Sequence, residues 1–188
     1  MAQTHTLRII GGTYKGKKLN ILDVEGLRPT PDRLREDIFN LLGPLTEGAR
    51  VLDLFAGSGV LGLECISRNA AALTLVEKDR DNYLNLLNEV RTFKEAAKIK
   101  VVQADALIYL KGLSETFDLI FLDPPYQSNL LKESLTLITE QNLLSPEGRI
   151  YAEMPHGVSL VTPGFEAVVK RSAGQVSYVI LKKSSFLF

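Results

Sequence analysis

Apolar positions along this chain alternate between two rhythms. Runs such as Val51-Leu52-Asp53-Leu54, Ala72-Leu73-Thr74-Leu75-Val76, Ile99-Lys100-Val101-Val102-Gln103 and Phe117-Asp118-Leu119-Ile120-Phe121-Leu122 are short and nearly continuous, as strands buried on both faces are. Between them, apolar residues recur at helical spacing. Leu34, Ile38, Leu41 and Leu42 mark one face of a first helix, with Arg33, Glu36 and Asn40 on the other side. Thr30 suits its N-cap, Pro31 its first position and Asp32 its first turn, and Gly43-Pro44 ends it. A second helix follows the glycines at 57–62 and runs to about Ser67. A third, around Asp79–Lys94, buries Tyr83, Leu86, Leu87 and Val90. Asp105 opens a fourth with Leu107, Ile108 and Leu110. The fifth carries Leu130, Leu131, Leu135 and Ile138. A turn at Ser145-Pro146-Glu147-Gly148 then leads to a fifth core strand, Arg149–Glu153.

The two ends of the chain change character. Leu7-Arg8-Ile9-Ile10 and Lys18–Leu22 read as a β-hairpin whose tip, Gly11–Lys17, is glycine-rich and basic, with Tyr14 exposed at it for base stacking. Phe165–Lys170 and Val176–Leu181, joined through Ser172-Ala173-Gly174, read as a closing antiparallel hairpin. Strand–helix alternation with such ends predicts an α/β fold, a doubly wound and mostly parallel sheet. The 188 residues suit a single domain, with 1–45 as an N-terminal hairpin-and-helix extension and 46–188 as the core.

Charge and composition add little by themselves. The formal net charge is zero, so no global attraction to polyanions is implied. The distribution is uneven: Arg8, Lys15, Lys17 and Lys18 stand in the first 22 residues without an acid, and Lys170, Arg171, Lys182 and Lys183 cluster near the end. Cys65 is the sole cysteine, which leaves no intramolecular disulfide and suits a reducing compartment, the cytoplasm. His5 and His156 are far apart and without cysteine partners, so no metal site is expected. No apolar run approaches the roughly 18 residues of a membrane span, and the first residues have no signal-peptide pattern.

The candidate chemistry lies at strand ends. Leu52-Asp53-Leu54-Phe55-Ala56-Gly57-Ser58-Gly59 joins a buried strand to a helix through glycines, which let a ligand approach the backbone and the free N–H groups of the helix start. Glu77 ends the next strand about 20 residues beyond the first glycine, where nucleotide-binding βαβ units keep a ribose-binding acid. Asp105 holds the corresponding place after the third strand, as an N-cap or as an acceptor for an adenine amino group. Gly57-Ser58-Gly59-Val60-Leu61-Gly62 also fits the dinucleotide G-x-G-x-x-G pattern, so an NAD-dependent oxidoreductase is the rival reading. Asp53 near the loop would repel a pyrophosphate but not a sulfonium cation, the chain is short for two nucleotide-binding halves, and a dehydrogenase has no use for what ends the fourth strand.

That strand ends in Asp123-Pro124-Pro125-Tyr126. The prolines stop sheet pairing and stiffen the exit. Left there are two acceptors, the Asp123 carboxylate and the Pro124 carbonyl, beside the flat Tyr126 ring. Two acceptors match the two N–H bonds of an amino group on a planar base.

These features together resemble the class I S-adenosylmethionine methyltransferases, whose Rossmann-like fold has a seven-stranded sheet. Arg8-Ile9-Ile10-Gly11-Gly12, Gly16-Lys17-Lys18-Leu19 and Leu27–Glu36 narrow the resemblance to the RsmD family. The similarity runs from about Arg8 to the Ala173–Val176 turn. It implies methyl transfer from S-adenosylmethionine to the exocyclic N2 amino group of a guanine in 16S ribosomal RNA, with the small subunit as partner and S-adenosylhomocysteine as product; such a transfer needs no metal, no membrane is expected, and a monomer is plausible although no residue shows the oligomeric state. The Asp-Pro-Pro-Tyr motif alone is shared with adenine-N6 methyltransferases, which stay the alternative; an RNA-binding module with a vestigial pocket is the non-enzymatic one. The implied cofactor set is Thr30, Asp53, Phe55, Ala56, Gly57, Ser58, Gly59, Glu77, Lys78, Asp105, Ala106 and Asp123. Asp123, Pro124, Pro125 and Tyr126 form the catalytic set, with Tyr126 stacking on a flipped-out base. Arg8, Lys15, Lys17, Lys18, Arg28 and Arg33 are the implied RNA contacts.

Overall fold

The computed structural model describes residues 4–22, 30–125, 128–158, 160 and 162–185. Nine strands and five α-helices are described: β1 Thr4–Arg8, β2 Lys18–Leu22, α1 Asp32–Leu42, β3 Arg50–Asp53, α2 Val60–Ser67, β4 Ala72–Glu77, α3 Arg80–Val90, β5 Ile99–Gln103, α4 Ala106–Lys111, β6 Phe117–Leu122, α5 Leu130–Glu140, β7 Leu144–Pro155, β8 Phe165–Ala173 and β9 Val176–Lys183. The main sheet has seven strands in the order β5-β4-β3-β6-β7-β9-β8. β5 through β7 run parallel, and β9 and β8 close the edge antiparallel. The chain leaves β3 toward β4 and β5 on one side and returns to β6 and β7 on the other. The switch point, where such sheets open a ligand crevice, therefore lies between β3 and β6.

Both faces of the sheet are covered. One carries α1, α2, α3 and the N-terminal hairpin, with Ile9, Leu19, Ile38, Phe39, Leu63 and Leu86 packed on Val51, Leu119, Phe121 and Tyr151. The other carries α4 and α5, with Leu110, Leu135 and Ile138 on Leu52, Ile120, Leu122 and Ile150. Alternation along β6 explains the division: Leu119 and Phe121 face one layer, Ile120 and Leu122 the other. The same alternation sends Asp123 toward the α1 side, one step past Phe121.

The N-terminal hairpin forms its own two-stranded sheet. Polar groups from α2 and α3 fasten it. The buried Glu64 carboxylate accepts from the Ile10 and Gly11 amides at 2.9 and 2.7 Å, and Glu89 accepts from the Asn20 amide. Thr13 N–H donates to the Ser67 carbonyl at 2.7 Å. Gly12 has φ +70°, and a Cβ there would stand 1.9 Å from the Ser67 oxygen, so only glycine lets the turn press this closely. Arg35, fully buried, donates to the Arg8 carbonyl, the Thr30 carbonyl and Asp32, with Glu64 3.7 Å away.

Several expectations are corrected. β1 is Thr4–Arg8, ahead of the expected Leu7–Ile10, because Ile9 bonds across the turn instead: it donates to the Lys17 carbonyl and accepts from Gly16. Thr30 does not cap α1; Pro31 holds that position without a side-chain bond. The third helix is shorter than Asp79–Lys94, and Tyr83 and Leu87 are half-buried while Asn82 and Glu89 are inside, because the hairpin covers that flank. Ile108 is 70% exposed, as α4 is a short six-residue helix whose inward positions are Ala106 and Leu110. The Ser145–Gly148 turn is a bulge within β7, taken up where the β6–β7 register shifts between Phe117 and Leu119. The closing hairpin turns at Gly174-Gln175, since Ala173 and Val176 still pair.

Candidate active site

The crevice is built from the carboxyl ends of β3, β4, β5, β6 and β7. At the end of β3, Asp53 is 3% exposed and its Oδ2 accepts from the Gly62 amide of α2 at 3.2 Å. Burial outweighs that bond and a second from the Phe55 amide, and with help from the Glu77 charge it pushes the Asp53 carboxyl up to about 7. The loop beyond it is pinned to the sheet: Leu54 donates to the Phe121 carbonyl and Ala56 to the Val76 carbonyl. Gly59 N–H closes the turn on the Ala56 carbonyl at 2.7 Å. Gly59 sits at φ +72° as the N-cap of α2, and a Cβ there would stand 2.5 Å from Leu86 Cδ2. Its conformation and its packing both require glycine. Ser58 beside it is half-buried, its Oγ 3.4 Å from the Val60 amide.

Glu77 faces this loop from β4. Its Oε2 accepts from Gly57 N–H at 2.8 Å and its Oε1 from Asp79 N–H at 2.7 Å. The backbone thus fixes the carboxylate, and each oxygen keeps a lone pair for a hydroxyl donor. Asp105 caps α4 by accepting from the Leu107 and Ile108 amides, and Lys78 Nζ lies 3.1 Å from its Oδ2. The Lys78 bond, ahead of those amides, holds the Asp105 carboxyl below its usual value against the opposing effect of burial. Lys78 is largely exposed and reaches the crevice through this ion pair; Ala106 is buried behind it.

Asp123 follows β6. Burial, then the charges of Glu153 and Asp53, push its carboxyl well above the ordinary range. Pro124 is buried and Pro125 exposed, and the Pro125 carbonyl accepts from Ser128 Oγ at 2.6 Å, closing the turn. Tyr126 lies outside the described residues. Glu153, on β7, is the residue that sequence reasoning left without a role. It is 4% exposed, accepts from the Tyr151 hydroxyl at 2.8 Å and from the Thr30 hydroxyl, and burial raises its own value. Its signal was an acid two residues beyond Tyr151, on one face of an otherwise apolar strand. Thr30 belongs to this cluster. Asp53, Asp123 and Glu153 thus gather on one side of the sheet, beside aromatic contacts running Phe39–Phe121–Tyr151–Tyr178 with centroids 6.2, 5.8 and 5.6 Å apart. Among the described residues no group of three or more His, Cys, Asp or Glu is arranged to hold a metal ion, and no helix is long and apolar enough to cross a membrane.

The basic set is more dispersed. Arg8 is exposed and paired with Asp32; Lys15, Lys18 and Arg33 are exposed. Lys17 lies over the Phe93 ring, 5.1 Å from its centroid. Arg28 lies outside the described residues. Tyr14 departs from the expected exposed stacker. Its ring packs on Phe93 at 4.7 Å, and its hydroxyl donates to Glu95 at 2.6 Å while accepting from Lys94 N–H. The Glu95 bond raises its pKa.

Comparison with known proteins places this architecture. The chain is 39% identical over 181 residues to Ribosomal RNA small subunit methyltransferase D of Escherichia coli K12, spanning 95% of this chain and 91% of that protein. The Haemophilus influenzae protein of the same name is 39% identical over 176 residues, spanning 92% and 91%. The solved structure "Putative methyltransferase yhhF from Escherichia coli" superposes with a TM-score of 0.86 at 37% identity, covering 97% of this chain and all of that one. The family model described as Conserved hypothetical protein 95 matches residues 7–182, and the chain belongs to that family, the RsmD methyltransferases.

Proposed function

We propose that this protein transfers a methyl group from S-adenosylmethionine to the exocyclic N2 amino group of a guanine in 16S ribosomal RNA, within the small subunit, as a monomeric cytoplasmic enzyme. The observation that carries the chemistry is the carboxyl end of the switch point, where Asp53, Asp123 and Glu153 stand together with raised carboxyls. Such a place suits a cation and an amino group and disfavours a pyrophosphate. The names of the relatives support the ribosomal substrate.

The residues fit the cofactor. Glu77, fixed by two backbone amides, would take the ribose hydroxyls, and Asp105 and Ala106 would border the adenine. The Asp53–Gly59 loop would take the amino-acid end, with Phe55, Ala56 and Ser58 as its walls. When bound, S-adenosylmethionine supplies an electrophilic methyl on a sulfonium. The nitrogen to be methylated is a weak nucleophile because its lone pair is delocalised into the ring. The Asp123 carboxyl and the Pro124 carbonyl accept its two hydrogens and turn the lone pair out of that conjugation. Catalysis then rests mainly on holding the nitrogen in line. The nitrogen is a strong acid once methylated and sheds its proton readily, so Asp123 need not act as a base and serves as a hydrogen-bond acceptor. Arg8, Lys15, Lys18 and Arg33 offer exposed positive charge to RNA phosphates.

Incubation with methyl-labelled S-adenosylmethionine and unmodified small subunits, or naked 16S RNA, followed by nucleoside analysis, tests this. Label in N2-methylguanosine is expected. Label in N6-methyladenosine would move the assignment to the adenine alternative, and no label in either substrate would sink the enzymatic reading.

A further inference from the structure

Glu153 sits beside the reacting centre without a part in the chemistry described so far. Leu122 and Ala152 are partners in the parallel β6–β7 register, so Asp123 and Glu153 are the next residues on adjacent strands. Tyr151 precedes Glu153 on the same face and donates its hydroxyl to Oε1 at 2.8 Å. Thr30, 9% exposed, donates a second hydroxyl from the segment leading into α1. On the other side, β9 places Tyr178 opposite Glu153. The charged and titratable groups facing the pair are thus Asp53 from β3, Tyr151 from β7 and Tyr178 from β9. Among the described residues, no lysine, arginine or histidine contributes to the balance of either carboxyl. Two adjacent carboxyls, one buried and one half-buried, do not both ionise readily without a cation beside them. Among the described residues, both donors go to Glu153 and none of comparable kind to Asp123.

We propose that Glu153 is a positioning residue for Asp123: the two carboxyls share one proton, the Tyr151 and Thr30 hydroxyls keep Glu153 as the ionised partner, and Asp123 is thereby held with one oxygen committed to Glu153 and the other left as acceptor for the target amino group. The neutral Asp123 carboxyl still accepts a hydrogen bond through its carbonyl oxygen. It also gives the crevice one fewer fixed negative charge before any ligand arrives. The aromatic contacts from Phe39 to Tyr178 serve the arrangement by setting the Tyr151 hydroxyl, and the Thr30 bond ties it to the N-terminal extension. This inference rests on the reading of Asp123 as the amino-group acceptor.

The test is a carboxyl-carbon NMR titration of the cofactor-free protein, with Asp123 assigned through the signal that disappears in Asp123→Asn. Because no substrate is present, its outcome is independent of which nucleotide is methylated. Glu153→Gln removes the neighbouring charge and is expected to lower the Asp123 midpoint by about one unit or more. Tyr151→Phe keeps the ring and removes one donor, so the proton moves toward Glu153 and the Asp123 midpoint falls by a smaller step. That second variant serves where Glu153→Gln fails to fold. In turnover, Glu153→Gln is expected to lower kcat by about tenfold or more, with KM for the methyl donor changed by less than about threefold. An Asp123 midpoint unmoved in a folded variant overturns the proposal, as does a loss confined to methyl-donor affinity.

Discussion

Replacing Asp53 with asparagine should make the protein progressively more stable than the wild type as pH rises above about 4 and leave it nearly unchanged below that. The side chain is 3% exposed, and burial lifts its carboxyl from 3.8 to about 7. A carboxyl raised in the folded state binds its proton more tightly there than in the unfolded chain. Between those two values the folded state holds the extra proton, so stability falls as pH rises through the interval. The shift is about three units, and each unit is about 1.4 kcal/mol, so the full cost of ionising Asp53 approaches 4 kcal/mol by pH 8. Asparagine keeps an oxygen to accept from Gly62 N–H and carries no charge. Urea unfolding of both proteins at a series of pH values from 4 to 8 measures the difference. The expected result is near-equal stability at pH 4, an advantage for Asp53→Asn that is already about 1–2 kcal/mol at pH 5, and one of about 2–4 kcal/mol at pH 8. Asp123 and Glu153, raised in the same direction, leave a residual slope of the same sign in the variant. Parallel pH curves, or a variant less stable at pH 8, would refute the picture of an uncompensated acidic crevice. The variant's affinity for S-adenosylmethionine should fall, since the crevice then lacks one charge facing a cation.

Other expectations follow from the hairpin and its anchors. Glu64→Ala strands the Ile10 and Gly11 amides and leaves Asp32 as the one remaining carboxylate, among the described residues, beside the buried Arg35 cation, so it should cost about 3–5 kcal/mol in urea unfolding; a loss under about 1 kcal/mol would contradict the docking described. Neutralising Lys15 or Lys18 should each reduce the salt dependence of RNA binding by roughly 0.7–0.9 for every phosphate that the lysine neutralises, with Lys17, engaged on Phe93, contributing less. An unchanged slope in the Lys15/Lys18 double variant would remove the hairpin from the RNA interface. Tyr14→Phe should lower stability in urea unfolding, since the ring then no longer bonds Glu95 and Lys94, with RNA affinity intact; weaker RNA binding at unchanged stability would restore the stacking role.

The parts of this molecule written in local pattern were legible from sequence. β2 runs Lys18–Leu22 as expected, β6 ends at Leu122, and the main sheet is mostly parallel with an antiparallel end, because each strand's apolar alternation and flanking glycine or proline are encoded within a few residues. What sequence did not show depends on distant partners. Tyr14 looked like an exposed ring because its acceptor, Glu95, is 81 positions away. Arg35 and Glu64 carry no local sign of burial, yet both are fully buried, each satisfying backbone groups of a hairpin that the chain forms far from them. Thr30 fitted a local rule for helix caps, but its hydroxyl serves Glu153 across the fold. Glu153 itself was visible only as the last letter of a strand, since its meaning comes from the β6–β7 register that sets it next to Asp123.

The most direct test of the central claim separates binding from transfer at Asp123. Asp123→Ala should bind S-adenosylmethionine in calorimetric titration about as well as the wild type while losing, in single-turnover assays on small subunits, at least about a hundredfold in methyl transfer to guanine N2. A variant that binds the cofactor and still methylates guanine at the wild-type rate would contradict the assignment of the β6 terminus as the place where the amino group is held.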